Sequence, residues 1–290
     1  MSNNIVLIAG PTASGKSAKA LELACERNAR IINCDSMQVY STLRVVTARP
    51  SDDDHGTVPH DLYGHVHPSQ DYSTAVWLED VRSVMTGAGD QPLIFVGGTG
   101  LYFKALCEGL SAIPPIPAQV RDRVRYRIGE EGAPKLHRLL RSIDPMLAMQ
   151  IKPGDTQRVA RAIEVFEATG KTLSWWHSQK AKPLIDANAA EKFILEPSRA
   201  VLHQRINSRV EKMLNEGAID EVQKITALGL SPDKPAMKAI GVPEIANYLS
   251  GEMSKPALID QMQAHTRQYA KRQSTWWRNQ MGPDWQRISA

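Results

Sequence analysis

The stretch that decides the fold is IAGPTASGKSAKAL, residues 8–21, in which GPTASGKS fills every specified position of the phosphate-loop template G-x-x-x-x-G-K-[ST]. The apolar run NIVLIAG leads into the loop, and SAKALELACERN follows it with apolar side chains at helical spacing. Backbone N–H groups and a helix dipole then favour a bound anion. We therefore predict a phosphate site at residues 10–17, with Lys16 on the terminal phosphates and the Ser17 hydroxyl on Mg²⁺.

Two further segments, RIINCDS and PLIFVGGTG, repeat a short β-rich run that ends in polar or glycine residues. Strands that alternate with helices predict an α/β fold with a doubly wound parallel sheet, like that of P-loop NTPases. Ligands bind such sheets beyond the carboxyl ends of the strands, so the loop, Asp35 and residues 97–100 should converge on one crevice. Asp35 is a candidate proton acceptor, with helix capping as the alternative.

The middle of the chain is predicted to be a separate helical unit. SAIPPIPAQ, residues 111–119, carries three prolines and predicts a boundary, which divides the chain into a core part at 1–118, a small insertion at 119–180 and a continued core at 181–290 with C-terminal helices. The net charges of these segments are −4, +5 and +3. The basic insertion is consistent with a polyanion partner, although a solvated helical face explains the charge equally well.

The last segment contains a returning strand and long helices. EKFILEP predicts the strand, and Ser198 is placed to cap the helix RAVLHQRINSRVEKMLNEG. Arg205 and Arg209 lie four residues apart on one face of that helix.

Composition narrows the class of protein further. With 42% hydrophobic residues, no long apolar stretch and no visible signal peptide, we expect a soluble cytoplasmic protein without a membrane partner. The three widely spaced cysteines support neither a disulfide framework nor a structural zinc site. The segment HGTVPHDLYGHVHPS holds four histidines next to Asp52, Asp53 and Asp54, but its spacing favours a polar surface loop over a metal site.

Several sequence blocks together resemble one enzyme family, the bacterial tRNA dimethylallyltransferases. They are GPTASGKS, DSMQVY, VGGTGLYFKAL, DTQRVARAIEVFEATGK, RVEKMLNEGAIDEV, MKAIGVPEI and YAKRQSTWWR. The resemblance implies transfer of a dimethylallyl group from its diphosphate to N6 of the adenosine that follows the anticodon, in tRNAs that read codons beginning with U. It also implies Mg²⁺, release of pyrophosphate and contact with the anticodon stem-loop. We further expect a monomer.

The resemblance also implies roles for individual residues. Asp35 would take the proton of N6, and Thr99 and Lys16 would complete the catalytic set. The diphosphate would be bound by Gly10, Pro11, Thr12, Ala13, Ser14, Gly15, Lys16, Ser17, Arg205 and Arg209. Contacts to tRNA would come from Asp35, Ser36, Met37, Gln38, Thr99, Arg121, Gln157, Arg158, Val159, Ala160 and Arg161. The chain departs from the family pattern at Ser41–Thr42 and at residues 46–50.

Three other functions fit parts of the sequence. A small-molecule kinase would use the same loop for ATP, with Asp35 accepting a hydroxyl proton, but it explains only the first strand ends. A nucleotide-dependent RNA-binding module accounts for the basic insertion and leaves Asp35 and Thr99 without a role. An adenylate-type isopentenyltransferase would use the same chemistry on free adenine nucleotides.

Overall fold

The centre of the protein is a six-stranded sheet whose strands all run parallel, as found in a computed structural model that describes residues 5–51, 53, 56, 58–179 and 181–289. The spatial order is β3-β2-β4-β1-β5-β6. The strands are β1 (Ile5–Ala9), β2 (Arg30–Asn33), β3 (His60–Asp61), β4 (Leu93–Gly97), β5 (Glu191–Leu195) and β6 (Gln286–Ile288). The α/β prediction with a parallel sheet is confirmed, and so is a strand at EKFILEP.

Both faces of the sheet are buried, which explains why its central strands are almost continuously apolar. Successive residues of a strand point to opposite faces. Leu7 and Phe95 accordingly belong to one buried cluster, whereas Ile8 and Val96 belong to another on the other face. Because Ala9 lies opposite both Gly97 and Ile194, the chain leaves β1, β4 and β5 at the same edge of the sheet.

Helices cover the sheet. Those whose bounds the structure describes before the middle of the chain are α1 (Lys16–Arg27), α2 (Thr74–Ala88) and α3 (Gly100–Glu108). Those after β5 are α9 (Arg199–Asn215), α10 (Ala218–Thr226), α11 (Val242–Leu249) and α12 (Lys255–Gln280), with a short 3-10 helix at Pro235–Lys238. Ser198 caps α9 as predicted, since its hydroxyl accepts a hydrogen bond from the Val201 N–H. None of the helices that the structure describes is long and apolar enough to cross a membrane.

A separate compact unit spans Glu108–Pro183, and the rest of the described chain forms the unit around the sheet. Its helices are α4 (Ala118–Glu131), α5 (Ala133–Ile143), α6 (Pro145–Gln150), α7 (Thr156–Thr169) and α8 (Leu173–Ser178). The unit begins earlier than residue 119 because Ile113 and Ile116 of the proline-rich segment pack into its core. Its end at Pro183 lies close to the boundary drawn at 180 from the sequence.

Candidate active site around the phosphate loop

The phosphate loop connects β1 to α1 in a tight turn. A Cβ atom on Gly10 would lie only 2.8 Å from Ser14 Oγ and 2.9 Å from the Leu195 carbonyl oxygen, so a side chain there would force the loop apart. Gly15 precedes α1 at φ +94°, a conformation that glycine adopts without strain. No side chain caps this end of α1 and no acidic residue lies in its first turn. The helix N-terminus is therefore suited to an anion.

Lys16 is the first residue of α1, and its side chain folds back over the loop. Nζ donates a hydrogen bond to the Pro11 carbonyl oxygen at 3.3 Å. Burial lowers the pKa of Lys16 from 10.5 to about 8, with Arg209 contributing in the same direction and Asp35 opposing the shift. A bound anion would add negative charge close to the ammonium group and raise the pKa again.

Two arginines of α9 reach the same loop. Arg209 Nη1 donates to Thr12 Oγ1 at 2.9 Å, and Arg205 Nη1 donates to the Ser14 carbonyl oxygen at 3.3 Å. Burial lowers the pKa of Arg209, and Asp35 works against that shift. The structure thus brings both arginines that the sequence singled out against the loop, where their guanidinium groups can contact a bound phosphate.

Asp35 and Thr99 follow two adjacent strands, β2 and β4, and hydrogen bonds join the two segments. Asp35 Oδ1 accepts the Met37 N–H at 3.0 Å, so the carboxylate closes a local turn and caps no helix. Thr99 Oγ1 accepts the Ser36 N–H at 2.9 Å, and the Thr99 N–H donates to the Cys34 carbonyl oxygen. The two predicted catalytic residues therefore stand side by side at the carboxyl edge of the sheet.

A cavity of about 300 Å³ opens between these strand ends and the C-terminal helices. Its polar lining includes Thr12, Asp35, Ser36, Arg209, Tyr269 and Arg272. Its apolar lining consists of Met37, Val46, Val210, Met213, Ala239, Ile240 and Met262. All of them except Met37 and Ile240 belong to one buried cluster, and Met37 packs against it, so the apolar part of the lining is contiguous. The cavity can accommodate a ligand with a charged end and a hydrocarbon end.

The loop after Tyr40, where the sequence departs from the family pattern, forms part of this cavity through Val46 and Thr47. The Glu221 carboxylate accepts the backbone N–H groups of residues 44–46 at 2.8 to 3.1 Å. Gln38 Nε2 donates to the carbonyl oxygens of Thr47 and Ala48, so its amide donors hold the loop. A predicted tRNA contact through Gln38 would have to use its remaining acceptor.

Sequence reasoning missed the contribution of α12 to the site. Tyr269, Arg272 and Gln273 lie on this helix, and burial raises the pKa of Tyr269 so that its hydroxyl stays protonated. Gln273 is buried and bonds to both Thr12 and Gly98. The only signal in the sequence was their position in the block YAKRQSTWWR, since polar residues on a long helix ordinarily indicate an exposed face.

Within the helical unit, the predicted tRNA contacts divide into exposed and buried residues. Gln157, Arg158 and Arg161 are exposed on α7. Val159 is fully buried in the core of the unit because it lies on the opposite face of α7, which leaves no side-chain surface for RNA. Ala160 is partly buried. Arg121 is half-buried on α4, where its Nη2 donates to the Ile116 carbonyl oxygen.

The histidine-rich segment does not form one cluster among the residues that are described. His60 bonds to the Val58 carbonyl oxygen, His65 to Asp80 and Tyr72, and His67 to Ser69. His55, Asp52 and Asp54 lie outside the described residues. Over the described ranges, no three His, Cys, Asp or Glu side chains are grouped so as to hold a metal ion.

Comparison with known proteins links this geometry to one family. The IPP transferase family model matches residues 38–280, and the isopentenyl transferase model matches residues 3–58. The tRNA dimethylallyltransferase of Agrobacterium fabrum is 56% identical over 98% of this chain and 96% of its own length. That of Chelativorans sp. is 52% identical over 99% of both chains.

Solved structures give the same result. The full-length tRNA isopentenylpyrophosphate transferase of Bacillus halodurans superposes with a TM-score of 0.69 at 32% identity, covering 99% of this chain and 90% of that one. A eukaryotic dimethylallyltransferase acting on tRNA superposes with a TM-score of 0.79 at 26% identity, covering 95% of this chain and 70% of the other.

Proposed function

This chain belongs to the IPP transferase family, and from that membership we propose that it transfers the dimethylallyl group of dimethylallyl diphosphate to N6 of an adenosine in tRNA. The target is the adenosine 3′ to the anticodon in tRNAs that read codons beginning with U. One observation carries the proposal: a single cavity brings Thr12 of the phosphate loop, Arg209 and the Asp35 carboxylate together with a contiguous apolar lining. A kinase would need no hydrocarbon pocket beside its phosphate loop.

The donor would lie with its two ends in chemically different surroundings. Residues 10–17 wrap the diphosphate, and Lys16, Arg205 and Arg209 supply positive charge to it. The five-carbon group extends along the apolar part of the cavity, where Met213 and Met262 contribute polarizable side chains that fit an irregular hydrocarbon shape. This orientation directs the allylic carbon toward Asp35.

The acceptor amine would be activated by Asp35. An aromatic amine is a poor nucleophile until its proton is drawn away, and the Asp35 carboxylate can accept that proton from N6. The target base must leave its stack to reach the cavity, which costs little for a nucleotide of an anticodon loop. Thr99, next to Asp35 at the edge of the sheet, would contact the extruded base.

In the transfer itself, the bond from the allylic carbon to the diphosphate oxygen breaks and the bond from N6 to that carbon forms. The N6 proton passes to Asp35, and pyrophosphate leaves with the electron pair of the broken bond. Positive charge develops on the allyl group while negative charge grows on the leaving group. Lys16, Arg205 and Arg209 therefore stabilise the transition state more than the ground state.

The residues of the loop fit Mg²⁺ as a cofactor. Mg²⁺ prefers oxygen ligands and in phosphate sites is held by one or two protein groups together with phosphate oxygens and waters. The Ser17 hydroxyl, exposed in the first turn of α1, is such a group. Bound there, the ion would neutralise part of the charge on the departing pyrophosphate.

The helical unit would provide further contacts to the anticodon stem-loop. Candidates are the exposed Gln157, Arg158 and Arg161 and the half-buried Arg121, because cationic and amide side chains bind the phosphate backbone irrespective of sequence. Arg123 and Arg127 are less available, since both pair with Glu167. We place the reaction in the cytoplasm and expect a monomer to carry it out.

The experiment that tests the proposal supplies purified protein with Mg²⁺, dimethylallyl diphosphate and one of three acceptors. These are tRNA from a strain that lacks the modification, free AMP, and the same tRNA with guanosine at the target position. Mass spectrometry of the nucleosides should find N6-prenylated adenosine only with the first acceptor. Prenylated AMP at a comparable rate would identify the adenylate-type activity instead, and product with none of the acceptors would contradict the proposal.

A further inference from the structure

The side chain of Gln273 joins the two parts of the site that the proposed reaction has to bring together. It lies on α12 and is only 6% exposed. Its Oε1 accepts the backbone N–H of Thr12 in the phosphate loop at 2.8 Å. Its Nε2 donates to the carbonyl oxygen of Gly98, after β4, at 2.9 Å. The orientation of the amide follows from its partners, because an N–H can only donate and a carbonyl oxygen can only accept.

The Thr12 N–H and the Gly98 carbonyl oxygen each lie within one residue of a side chain that the proposed reaction uses. Thr12 carries the hydroxyl that accepts the hydrogen bond of Arg209, on the donor side. Gly98 precedes Thr99, whose hydroxyl accepts the Ser36 N–H beside Asp35, on the acceptor side. The amide of Gln273 therefore sets the separation between the loop that holds the diphosphate and the turn that holds Thr99.

The surroundings are shaped for this amide. A Cβ on Gly98 would lie 2.2 Å from Gln273 Nε2 and 3.5 Å from Asp35 Oδ2, so any larger residue would displace the amide toward or away from the carboxylate. Glutamine alone among the side chains of its length offers one acceptor and one donor at fixed spacing. A glutamate there would lose the donor and, when ionised, repel both the Gly98 oxygen and Asp35.

We propose that Gln273 is a positioning residue that aligns the donor diphosphate with the acceptor side of the cavity, and this rests on the proposed prenyl transfer. Gln273 is not among the residues that line the cavity, so we expect it to act through Thr12 and Gly98. Its loss should lower kcat for prenyl transfer while changing KM for tRNA little, because misplacement of a reacting atom by about 1 Å costs up to about a hundredfold in rate.

Two substitutions separate the hydrogen bonds from mere packing. Gln273→Met keeps the length of the side chain and removes both bonds without adding charge. Gln273→Glu keeps the acceptor and replaces the donor by a group that donates only when protonated. Gln268→Glu is the matched control, since it makes the same change at an exposed position of α12. Melting temperatures and circular dichroism establish that each variant is folded.

The measured quantity is the kcat of each variant divided by that of the wild-type protein, from pH 6 to pH 9. Dividing by the wild-type value removes the pH effects that both proteins share. We expect Gln273→Met to lower kcat at least about tenfold at every pH. The Gln273→Glu ratio should be equally low at pH 9 and rise as the pH falls, because the neighbouring Asp35 favours protonation of the introduced carboxyl. Gln268→Glu should stay within about twofold of the wild type.

Two results would overturn the proposal. One is a kcat within twofold of wild type for Gln273→Met, and the other is a Gln273→Glu ratio that does not change with pH. Titration with pyrophosphate and Mg²⁺ separates this inference from the proposed function. If the wild-type protein transfers no prenyl group, weaker pyrophosphate binding in Gln273→Met still supports the link to the loop, and unchanged binding contradicts it.

Discussion

The low pKa of Lys16 makes a quantitative prediction about how the donor binds. A shift from 10.5 to about 8 corresponds to about 3 kcal/mol by which the empty loop disfavours the ammonium form. A bound diphosphate supplies negative charge and reverses that shift. Donor affinity should therefore fall about twofold between pH 7 and pH 8 and by up to about tenfold for each further pH unit, until Lys16 in the complex begins to lose its proton.

Isothermal titration with dimethylallyl diphosphate and Mg²⁺ measures this effect directly. Running each titration in two buffers of different ionisation enthalpy counts the protons taken up on binding. We expect about 0.1 proton at pH 7, about 0.5 at pH 8 and about 0.9 at pH 9, since these are the fractions of neutral Lys16 in the free protein. The phosphate groups of the donor remain ionised over this range.

Two variants identify the group responsible. Lys16→Arg keeps its charge throughout and should take up no proton, and Lys19→Met, which removes an exposed lysine of the same helix, should behave as wild type.

The stability of the free protein should rise with pH over the range in which donor affinity falls. Because the unfolded chain binds more protons at this site, the Lys16 contribution to the free energy of unfolding rises between pH 8 and pH 10.5. A wild-type protein that takes up no proton at pH 9 would show that Lys16 is already charged in the empty loop.

Three further perturbations test other parts of the site. Asp35→Asn keeps the acceptor for the Met37 N–H and removes the base, so single-turnover prenyl transfer should slow by about 10²–10⁴-fold with tRNA binding retained; an unchanged rate would remove Asp35 from that role. Glu221→Gln should lower the free energy of unfolding by about 1–3 kcal/mol and raise KM for the donor, whereas the exposed Glu211→Gln should do neither. Arg121→Ala should weaken tRNA binding and reduce its salt slope by about one, and a loss confined to donor binding would contradict that placement.

The parts of the fold that follow from short-range patterns could be predicted from the sequence. The phosphate loop, its flanking strand and helix, and the strand at PLIFVGGTG each depend on residues within a few positions of one another. Arg205 and Arg209 were recognisable because a spacing of four places two side chains on one helix face. Their assignment to the diphosphate came from the resemblance to the family, and hydrogen bonds from both guanidinium groups to the loop are seen only in the structure.

The parts that escaped prediction depend on contacts between distant segments. Gln273 lies 261 positions from Thr12 and 175 from Gly98, and no local pattern distinguishes it from the exposed glutamines of the same helix. Glu221 reaches the loop after Tyr40 across a comparable distance. Val159 shows the limit of transferring a motif by position, because helical periodicity already placed it on the buried face of α7.

The central claim is that the phosphate loop holds the pyrophosphate leaving group of a prenyl donor. The measurement that tests it most directly uses tRNA from a strain that lacks the modification. It follows pyrophosphate and N6-prenylated adenosine in the same reaction, with and without ATP. We predict that the two products form in equal amounts, that ATP is not consumed, and that Lys16→Met suppresses both products together. ATP-dependent phosphorylation without prenyl transfer, or pyrophosphate release without prenylated adenosine, would contradict the account.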